Sequence, residues 1–299
     1  MDLLKNKMTR KKLFNPGHTS CAGCGPAIAL KIIAEAVGKN TILVITTGCM
    51  EVTTTAYGRS AWNLPIIHSA IENAGATCSG IEAAMKQKGK KVNIVAIAGD
   101  GATFDIGLQS LSGMLERKHK VLFICYDNEG YQNTGIQRSS ATPLYAETTT
   151  TPYGKNQKGN IIEKKDMPFI VASHKGVYVA TANISRHEDF KKKIKKALDF
   201  NGPSYIQVLA PCVPGWKISP SETIKVSKLA IESGIAPLYE IEEGKIILKE
   251  EKKIPVIEYL KQQGRFKNLT AKEIEEIQKK VDENYNKLKT LSELKIRIF

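Results

Sequence analysis

The sequence has no apolar run close to the ~18 residues that a membrane-spanning helix needs, so we expect no membrane in its function. Its first ten residues carry scattered charges and lack the apolar stretch and small-residue cleavage site of a signal peptide. Internal repeats are absent as well. We therefore expect a cytoplasmic chain that, at 299 residues, is long enough to bury a sizeable core.

A focused basic patch is also missing. The 44 lysines and arginines exceed the 30 acidic residues and give a net charge of +14, but they are spread along the chain and interleaved with glutamates. The densest group, residues 191–196, falls on one predicted helix and contains no aromatic residue of the kind that stacks on single-stranded nucleic acid. This pattern favours a solvated face over a docking surface for an acidic protein, and we expect no nucleic-acid partner.

The cysteines lack the pattern of a zinc ribbon, because no second Cys-x-x-Cys follows the first within ~20 residues. A disulfide framework is not expected in a reducing cytosol. Cys78 lies in a helix-like stretch and Cys125 in an apolar run, and both are predicted to be inert buried thiols. The other four cysteines lie in loops rich in glycine or proline: Cys21, Cys24, Cys49 and Cys212. Four thiolates from separate loops suit a [4Fe–4S] cluster, while structural zinc and no metal remain alternatives.

The chain alternates helix-like and strand-like segments over residues 25–210, which predicts an α/β fold with a mostly parallel sheet and helices on both faces. The stretch 129–165 has no clear periodicity, and a loop that long is more often functional than incidental. Capping boxes at 185–188 and 270–273 predict two helix starts. We expect an N-terminal extension over 1–14, a cofactor-binding domain over 15–217, and over 218–299 a helical C-terminal extension that packs on the core or on a partner.

A possible diphosphate site follows the apolar strand at residues 92–98. The turn Gly99-Asp100-Gly101 leads from that strand into a helix, where backbone N–H groups can face phosphate and Asp100 can bind magnesium. Asn128 comes 27 residues after Gly101, just past the next predicted strand, and offers a second oxygen. The carbonyl near Gly130 offers a third. The alternative is an ordinary turn with a helix-capping asparagine.

Together these motifs resemble the β subunits of the 2-oxoacid:ferredoxin oxidoreductases, most of all that of pyruvate:ferredoxin oxidoreductase (pyruvate synthase). The resemblance covers residues 15–216, and 255–266 is similar to the family's C-terminal segment. The shared motifs, in the family's order, are Gly-His-x-x-Cys-x-x-Cys-Gly at 17–25, Gly-Cys at 48–49, Gly-Asp-Gly at 99–101, Asn-Thr-Gly at 133–135 and Pro-Cys at 211–212. The family usually has two asparagines where this chain has Asp127-Asn128, but the metal ligand is the second of the pair.

The resemblance implies a thiamine-diphosphate-binding fold and a role for each matching residue. Asn133 would reach the reacting carbon as the catalytic residue. The [4Fe–4S] ligands would be Cys21, Cys24, Cys49 and Cys212, and the magnesium ligands Asp100, Asn128 and Gly130. Residues lining the thiamine diphosphate would be Gly48, Cys49, His68, Gly99, Asp100, Gly101, Ala102, Asn128, Asn133 and Thr134.

The resemblance also implies an activity: reversible oxidative decarboxylation of pyruvate to acetyl-CoA and carbon dioxide, with electrons passed to ferredoxin. Coenzyme A and a 2-oxoacid would be substrates, and the partners would be ferredoxin and α, γ and ferredoxin-like δ subunits. The glutamate that activates thiamine is expected on the α subunit, so neither Glu51 nor Glu72 is assigned that role. Alternatives are a sibling enzyme for a branched-chain or other 2-oxoacid, a non-redox thiamine lyase or carboligase, and a zinc-stabilised scaffold.

Overall fold

The computed structural model describes residues 12–299. The predicted N-terminal extension, 1–14, lies outside the described residues apart from 12–14. Within the described part no helix is both long and apolar enough to cross a membrane.

One eight-stranded sheet forms the centre of the molecule. Its strands, in chain order, are β1 (Thr41–Thr46), β2 (Ile66–Ser69), β3 (Asn93–Gly99), β4 (Leu122–Asp127), β5 (Tyr178–Asn183), β6 (Ser204–Leu209), β7 (Leu238–Glu242) and β8 (Lys245–Lys249). They lie side by side in the order β2-β1-β3-β4-β6-β5-β7-β8. The first six are parallel, and β7 and β8 continue the sheet in antiparallel pairs.

Helices cover both faces of this sheet. They are α1 (Gly25–Val37), α2 (Cys49–Thr54), α3 (Ala74–Gln87), α4 (Leu108–Glu116), α5 (Met167–Ala172), α6 (His187–Asp199), α7 (Val213–Trp216), α8 (Thr223–Glu232), α9 (Ile257–Leu260) and α10 (Ala271–Leu294). Helices α1 and α6 pack together in one core cluster, whereas α3, α4 and α5 belong to a second cluster on the opposite face. The predicted fold class is therefore confirmed.

The central strands explain why two helical layers are needed. All six residues of β4 are buried, as are five of the seven in β3. Strands that are apolar on both sides must be covered on both sides, because burying apolar surface is the main favourable term in folding. Parallel pairing then brings the carboxyl ends of six strands to one edge, where the loops with candidate ligands lie.

The two capping boxes have different outcomes. In the box at 270–273, Thr270 Oγ1 accepts from the backbone N–H of Glu273 and the glutamate accepts from the backbone N–H of Thr270, which confirms the predicted start of α10. The box at 185–188 was a wrong prediction. The Ser185 hydroxyl instead donates to Asn183 Oδ1 in the turn after β5, so it does not cap the helix. Helix α6 begins later, at His187.

The C-terminal residues continue the same sheet. The predicted hairpin is present as β7 and β8, and α10 packs against β8. A third core cluster joins α8, α9 and α10 to the loop after β6. The boundary at residue 217 stays a prediction. The stretch 129–165 contains turns and isolated β-bridges but no helix or strand of its own, as its sequence predicted.

Candidate cofactor site

The strand order opens a crevice at one place along the carboxyl edge. The chain runs from β1 outward to β2, then returns to the other side of β1 to form β3. The loops after β1 and β3 therefore leave in opposite directions, which is where open α/β sheets bind ligands. Cys49 follows β1, Asp100 follows β3, and Asn128 follows the neighbouring β4. The fold thus gathers candidate residues that lie far apart in sequence.

Three oxygen-bearing groups converge beside this crevice. One end of the Asn128 side-chain amide lies 2.8 Å from Asp100 Oδ1 and 3.0 Å from the carbonyl oxygen of Gly130. With nitrogen at that end, both contacts are hydrogen bonds. With oxygen there, that oxygen is separated from each of the other two by about the 2.9 Å expected between neighbouring ligands of an octahedron with 2.0–2.1 Å bonds. The donor set therefore fits magnesium. A flip of the Asn128 amide would change it from a hydrogen-bond donor in the metal-free site to an oxygen ligand in the metal-bound site.

Asp100 is held in a setting that favours a cation. It is 1% exposed, its Oδ2 accepts a 2.5 Å hydrogen bond from Ser139 Oγ, and its Oδ1 accepts from the backbone N–H of Asn128. Burial, followed by the negative charge of Asp127, raises the pKa of Asp100 to about 8, against the smaller opposing effect of the Ser139 hydrogen bond. A divalent ion at the three oxygens would supply the missing positive charge.

The backbone of Asn128 is fixed from two directions. Its carbonyl oxygen accepts from Trp216 Nε1 at 2.9 Å and from Gln132 Nε2 at 2.8 Å. No sequence motif indicates a role for Trp216, Gln132 or Ser139. The partners are separated by up to 88 residues, so no local pattern could have paired them.

Direct contacts hold the cysteine loops together. The backbone N–H of Gly25 donates to the carbonyl of Pro211, and Thr223 Oγ1 donates to the carbonyl of Gly23. A β-carbon at either glycine would lie less than 3 Å from backbone atoms of the opposing loop, so only glycine permits this approach. Ser20 and Thr53 hydroxyls join 2.8 Å apart, which ties the first cysteine loop to α2. The predicted meeting of Cys21, Cys24, Cys49 and Cys212 at one edge thus has a physical basis.

The four thiols influence one another. Burial is the main cause that raises the pKa of Cys24 to about 12 and that of Cys212 to about 12, and in each case the charges of neighbouring candidate thiols add to it. Backbone N–H groups of Ala27 and Gly215 act in the opposite direction, as donors aimed at the two sulfurs. Such donors tune iron–sulfur clusters. Within residues 12–299 no three His, Cys, Asp or Glu side chains are grouped as ligands of a single ion, whereas a [4Fe–4S] cluster takes one cysteine on each iron.

Asn133 lies beside Cys49, one of the candidate cluster ligands. Burial raises the pKa of the Cys49 thiol, while the Asn133 side chain is the largest influence in the other direction. Asn133 and the adjacent Thr134 are exposed, so both are open to a ligand in the crevice. His68 is the third residue of β2, and its Nε2 is 2.8 Å from Thr47 Oγ1.

The remaining predicted residues fall into two groups. Gly48 caps α2 directly before Cys49, and Gly99, Gly101 and Ala102 form the turn around Asp100, where residues 101–105 adopt a π-helix. Cys78 and Cys125 are completely buried away from the loops, in agreement with their predicted inert role.

A cavity of about 430 Å³ lies behind residues 127–130, the candidate magnesium loop that holds Asn128 and Gly130. Asp127 and Glu129, the neighbours of Asn128, line it together with Lys164, whereas none of the four candidate cysteines does. Lys164 Nζ lies 2.6 Å from Asp127 Oδ2 and 2.9 Å from Glu129 Oε1. Burial would raise the pKa of Glu129, but the positive charges of Lys164 and Arg265 together hold it below its ordinary value. The cavity is therefore separated from the candidate ligands by an ionic layer.

Residues 46–208 match the family described as thiamine pyrophosphate enzyme, C-terminal TPP binding domain. The chain is 54% identical over 284 residues to pyruvate synthase subunit PorB of Methanocaldococcus jannaschii, with 92% of this chain and 95% of that relative covered. It is 47% identical over 292 residues to ketoisovalerate oxidoreductase subunit VorB of Pyrococcus abyssi, with 94% of each chain covered.

The fold is similar to that of 2-oxoglutarate:ferredoxin oxidoreductase from Magnetococcus marinus. The TM-score is 0.60 at 19% identity, over 74% of this chain and 82% of that one. At this identity the likeness concerns the fold alone.

Proposed function

Because this chain belongs to the thiamine pyrophosphate enzymes, and among them to the family of pyruvate synthase PorB subunits, we propose that it is the cofactor-binding subunit of a multi-chain pyruvate synthase. The reaction is the reversible oxidative decarboxylation of pyruvate to acetyl-CoA and carbon dioxide, with electrons passed to ferredoxin. The resemblance inferred from the motifs is thereby confirmed at the level of the family.

The observation that carries the proposal is the position of two ligand sets at one edge of one sheet. Three oxygens that fit magnesium follow β3 and β4, and four cysteines that fit an iron–sulfur cluster lie in neighbouring loops. When bound there, thiamine diphosphate supplies the electron sink for decarboxylation and a [4Fe–4S] cluster accepts electrons singly. A non-redox thiamine lyase would have no use for the second set.

The setting of each residue supports its proposed role. Asp100, Asn128 and the carbonyl of Gly130 hold the magnesium that fixes the diphosphate, and Cys21, Cys24, Cys49 and Cys212 hold the cluster. Asn133 orients the substrate, because its exposed amide lies beside Cys49 at the mouth of the crevice. Residues that line the thiamine include His68, whose ring is oriented by Thr47.

The 2-oxoacid is proposed to be pyruvate, with ketoisovalerate as the second candidate. The 54% identity to a pyruvate synthase subunit exceeds the 47% identity to a ketoisovalerate oxidoreductase subunit, although both relatives are covered almost completely. Partner chains would contribute to the substrate pocket, so this chain alone does not fix its size.

The proposed partners are an α subunit that completes the thiamine site, γ and ferredoxin-like δ subunits, and ferredoxin as electron acceptor. Coenzyme A would take up the acyl group. We place the complex in the cytoplasm, since the four candidate ligand cysteines are free thiols and must stay reduced to bind iron.

The test is an assay of the complex purified without oxygen together with its partner chains. We expect ferredoxin reduction that requires pyruvate, coenzyme A, magnesium and thiamine diphosphate together, with about four iron and four sulfide per copy of this chain beyond those of a separately purified δ subunit. Higher kcat/KM for ketoisovalerate would move the assignment to the branched-chain sibling. Carbon dioxide release without any electron transfer would overturn the redox assignment altogether.

A further inference from the structure

Arg265 lies behind the magnesium loop, in the C-terminal segment that the sequence predicted to pack on the core or on a partner. It is 3% exposed, and its Nη2 lies 2.6 Å from Glu129 Oε2. Its guanidinium carbon lies 4.0 Å from the centre of the Trp216 ring. A fully buried charge that is paired on one side and stacked on an aromatic ring on the other is held in a single orientation.

Both neighbours of Arg265 belong to loops with proposed cofactor ligands. Glu129 lies between Asn128 and Gly130, two of the three magnesium ligands. Trp216 lies four residues after Cys212, donates its backbone N–H to the carbonyl of Cys212, and donates its indole N–H to the carbonyl of Asn128. One side chain therefore contacts the magnesium loop and the loop of the last cysteine at the same time.

The C-terminal segment also fixes Arg265 itself. Arg265 Nε donates to Gln263 Oε1 at 3.0 Å, and Gln263 donates to the carbonyl of Tyr259 at the end of α9. The carbonyl of Arg265 accepts from the backbone N–H of Glu147, in the long loop. Residues outside the magnesium loop and the Cys212 loop therefore orient the guanidinium as well. Its position does not depend on those two loops alone.

We propose that Arg265 is a positioning residue that fixes the magnesium loop and the Cys212 loop relative to each other. This inference rests on the proposed function of those loops. Lysine cannot replace arginine here, because an ammonium group neither stacks flat on an indole nor holds two N–H donors in the fixed geometry that reaches Glu129 and Gln263 at once.

The test compares Arg265→Lys with the parent in the assembled, anaerobically purified complex. Two properties are measured besides activity: magnesium-dependent affinity for thiamine diphosphate by calorimetry, and the spectrum and midpoint potential of the cluster by electron paramagnetic resonance. Removing groups that orient metal ligands costs about 10–100-fold in metal affinity, so we expect at least a tenfold weaker affinity, together with a shifted cluster potential.

Arg186→Lys is the matched control. Arg186 also donates through Nε and Nη2, in its case both to Glu251 Oε2, and it too joins the C-terminal residues to the core. It contacts neither cofactor loop. We expect the control to bind thiamine diphosphate within twofold of the parent and to keep the parent's cluster signal.

The neutral double variant Glu129→Gln/Arg265→Met separates positioning from folding, since it removes the buried pair without leaving an unpaired charge. We expect it to fold with a melting temperature near that of the parent and still to lose thiamine diphosphate affinity. Loss of folding in both this variant and Arg265→Lys would overturn the proposal, as would unchanged affinity and potential in a folded Arg265→Lys. A parent complex that binds no thiamine diphosphate would instead contradict the proposed function.

Discussion

Trp216 donates its indole N–H to the backbone carbonyl of Asn128 at 2.9 Å, across 88 residues of sequence. Trp216 lies four residues after the proposed cluster ligand Cys212, and Asn128 is a proposed magnesium ligand. This bond therefore joins the two halves of the candidate site directly.

Trp216→Phe tests that bond while keeping an aromatic ring under Arg265. The Asn128 carbonyl keeps its bond from Gln132 but loses the other, so we expect the free energy of unfolding to fall by about 1 kcal/mol. Affinity for thiamine diphosphate should fall as well. Trp62→Phe is the control, because Trp62 also loses one buried indole hydrogen bond, to Thr54, away from the magnesium loop. Equal affinities in the two variants, measured by calorimetry, would contradict a role for the bond in the site.

Asp100→Asn should have opposite effects with and without metal. The folded-state pKa of Asp100 is raised to about 8, above the unfolded value near 3.8, so its ionisation costs stability as pH rises from about 4 to 8. Removing that charge should stabilise the chelator-treated protein at pH 8 by at least about 1 kcal/mol and have little effect near pH 4. The same variant should lose magnesium-dependent thiamine diphosphate binding.

Denaturant titrations at the two pH values, with chelator present, measure the first effect, and calorimetry with magnesium measures the second. A variant that binds thiamine diphosphate as tightly as the parent would show that the magnesium assignment is wrong.

The parts of the site that follow a strand directly were predictable from sequence. An apolar run that ends in Gly-Asp-Gly places Asp100 at a sheet edge, and the spacing to Asn128 follows from one intervening helix and strand. Ser139 and Trp216 were not predictable in the same way, because their partners are fixed only when distant loops pack. The short elements β2 and α7 were also not predicted, because segments of four residues are too short to show a periodic pattern.

Cys212→Ser should remove or damage the cluster and leave thiamine diphosphate affinity within about threefold of the parent. Cys212 lies in the loop that contacts Gly25 through Pro211. Burial raises the pKa of its thiol, which is close enough to the other candidate cysteines for their charges to raise that pKa further. Cys125→Ser is the matched control, because that thiol is buried inside β4. Iron content, visible absorption and thermal unfolding are measured for both. An intact cluster in Cys212→Ser would refute the ligand assignment, and equal cluster loss in both variants would indicate a general loss of structure.

The isolated chain should release no carbon dioxide from pyruvate until the α subunit is added. The magnesium half of a thiamine site is contained in the loops after β3 and β4, whereas the carboxylates near the crevice are otherwise engaged or unassigned. Glu51 Oε1 accepts from Thr55 at 2.9 Å and lies 3.5 Å from His68 Nδ1, which suits a local polar cluster better than an activating carboxylate. Closing the site between two chains would also exclude water from the reacting carbon. The measurement is carbon dioxide release by this chain loaded with cluster, magnesium and thiamine diphosphate, with and without the partner.

In the assembled complex, Glu51→Gln and Glu72→Gln should each retain more than about a tenth of the parent's kcat, because loss of a general acid–base group lowers the rate by about 10²–10⁴-fold. Full turnover by the isolated chain, or a loss of that size in either variant, would place the activating glutamate within this chain.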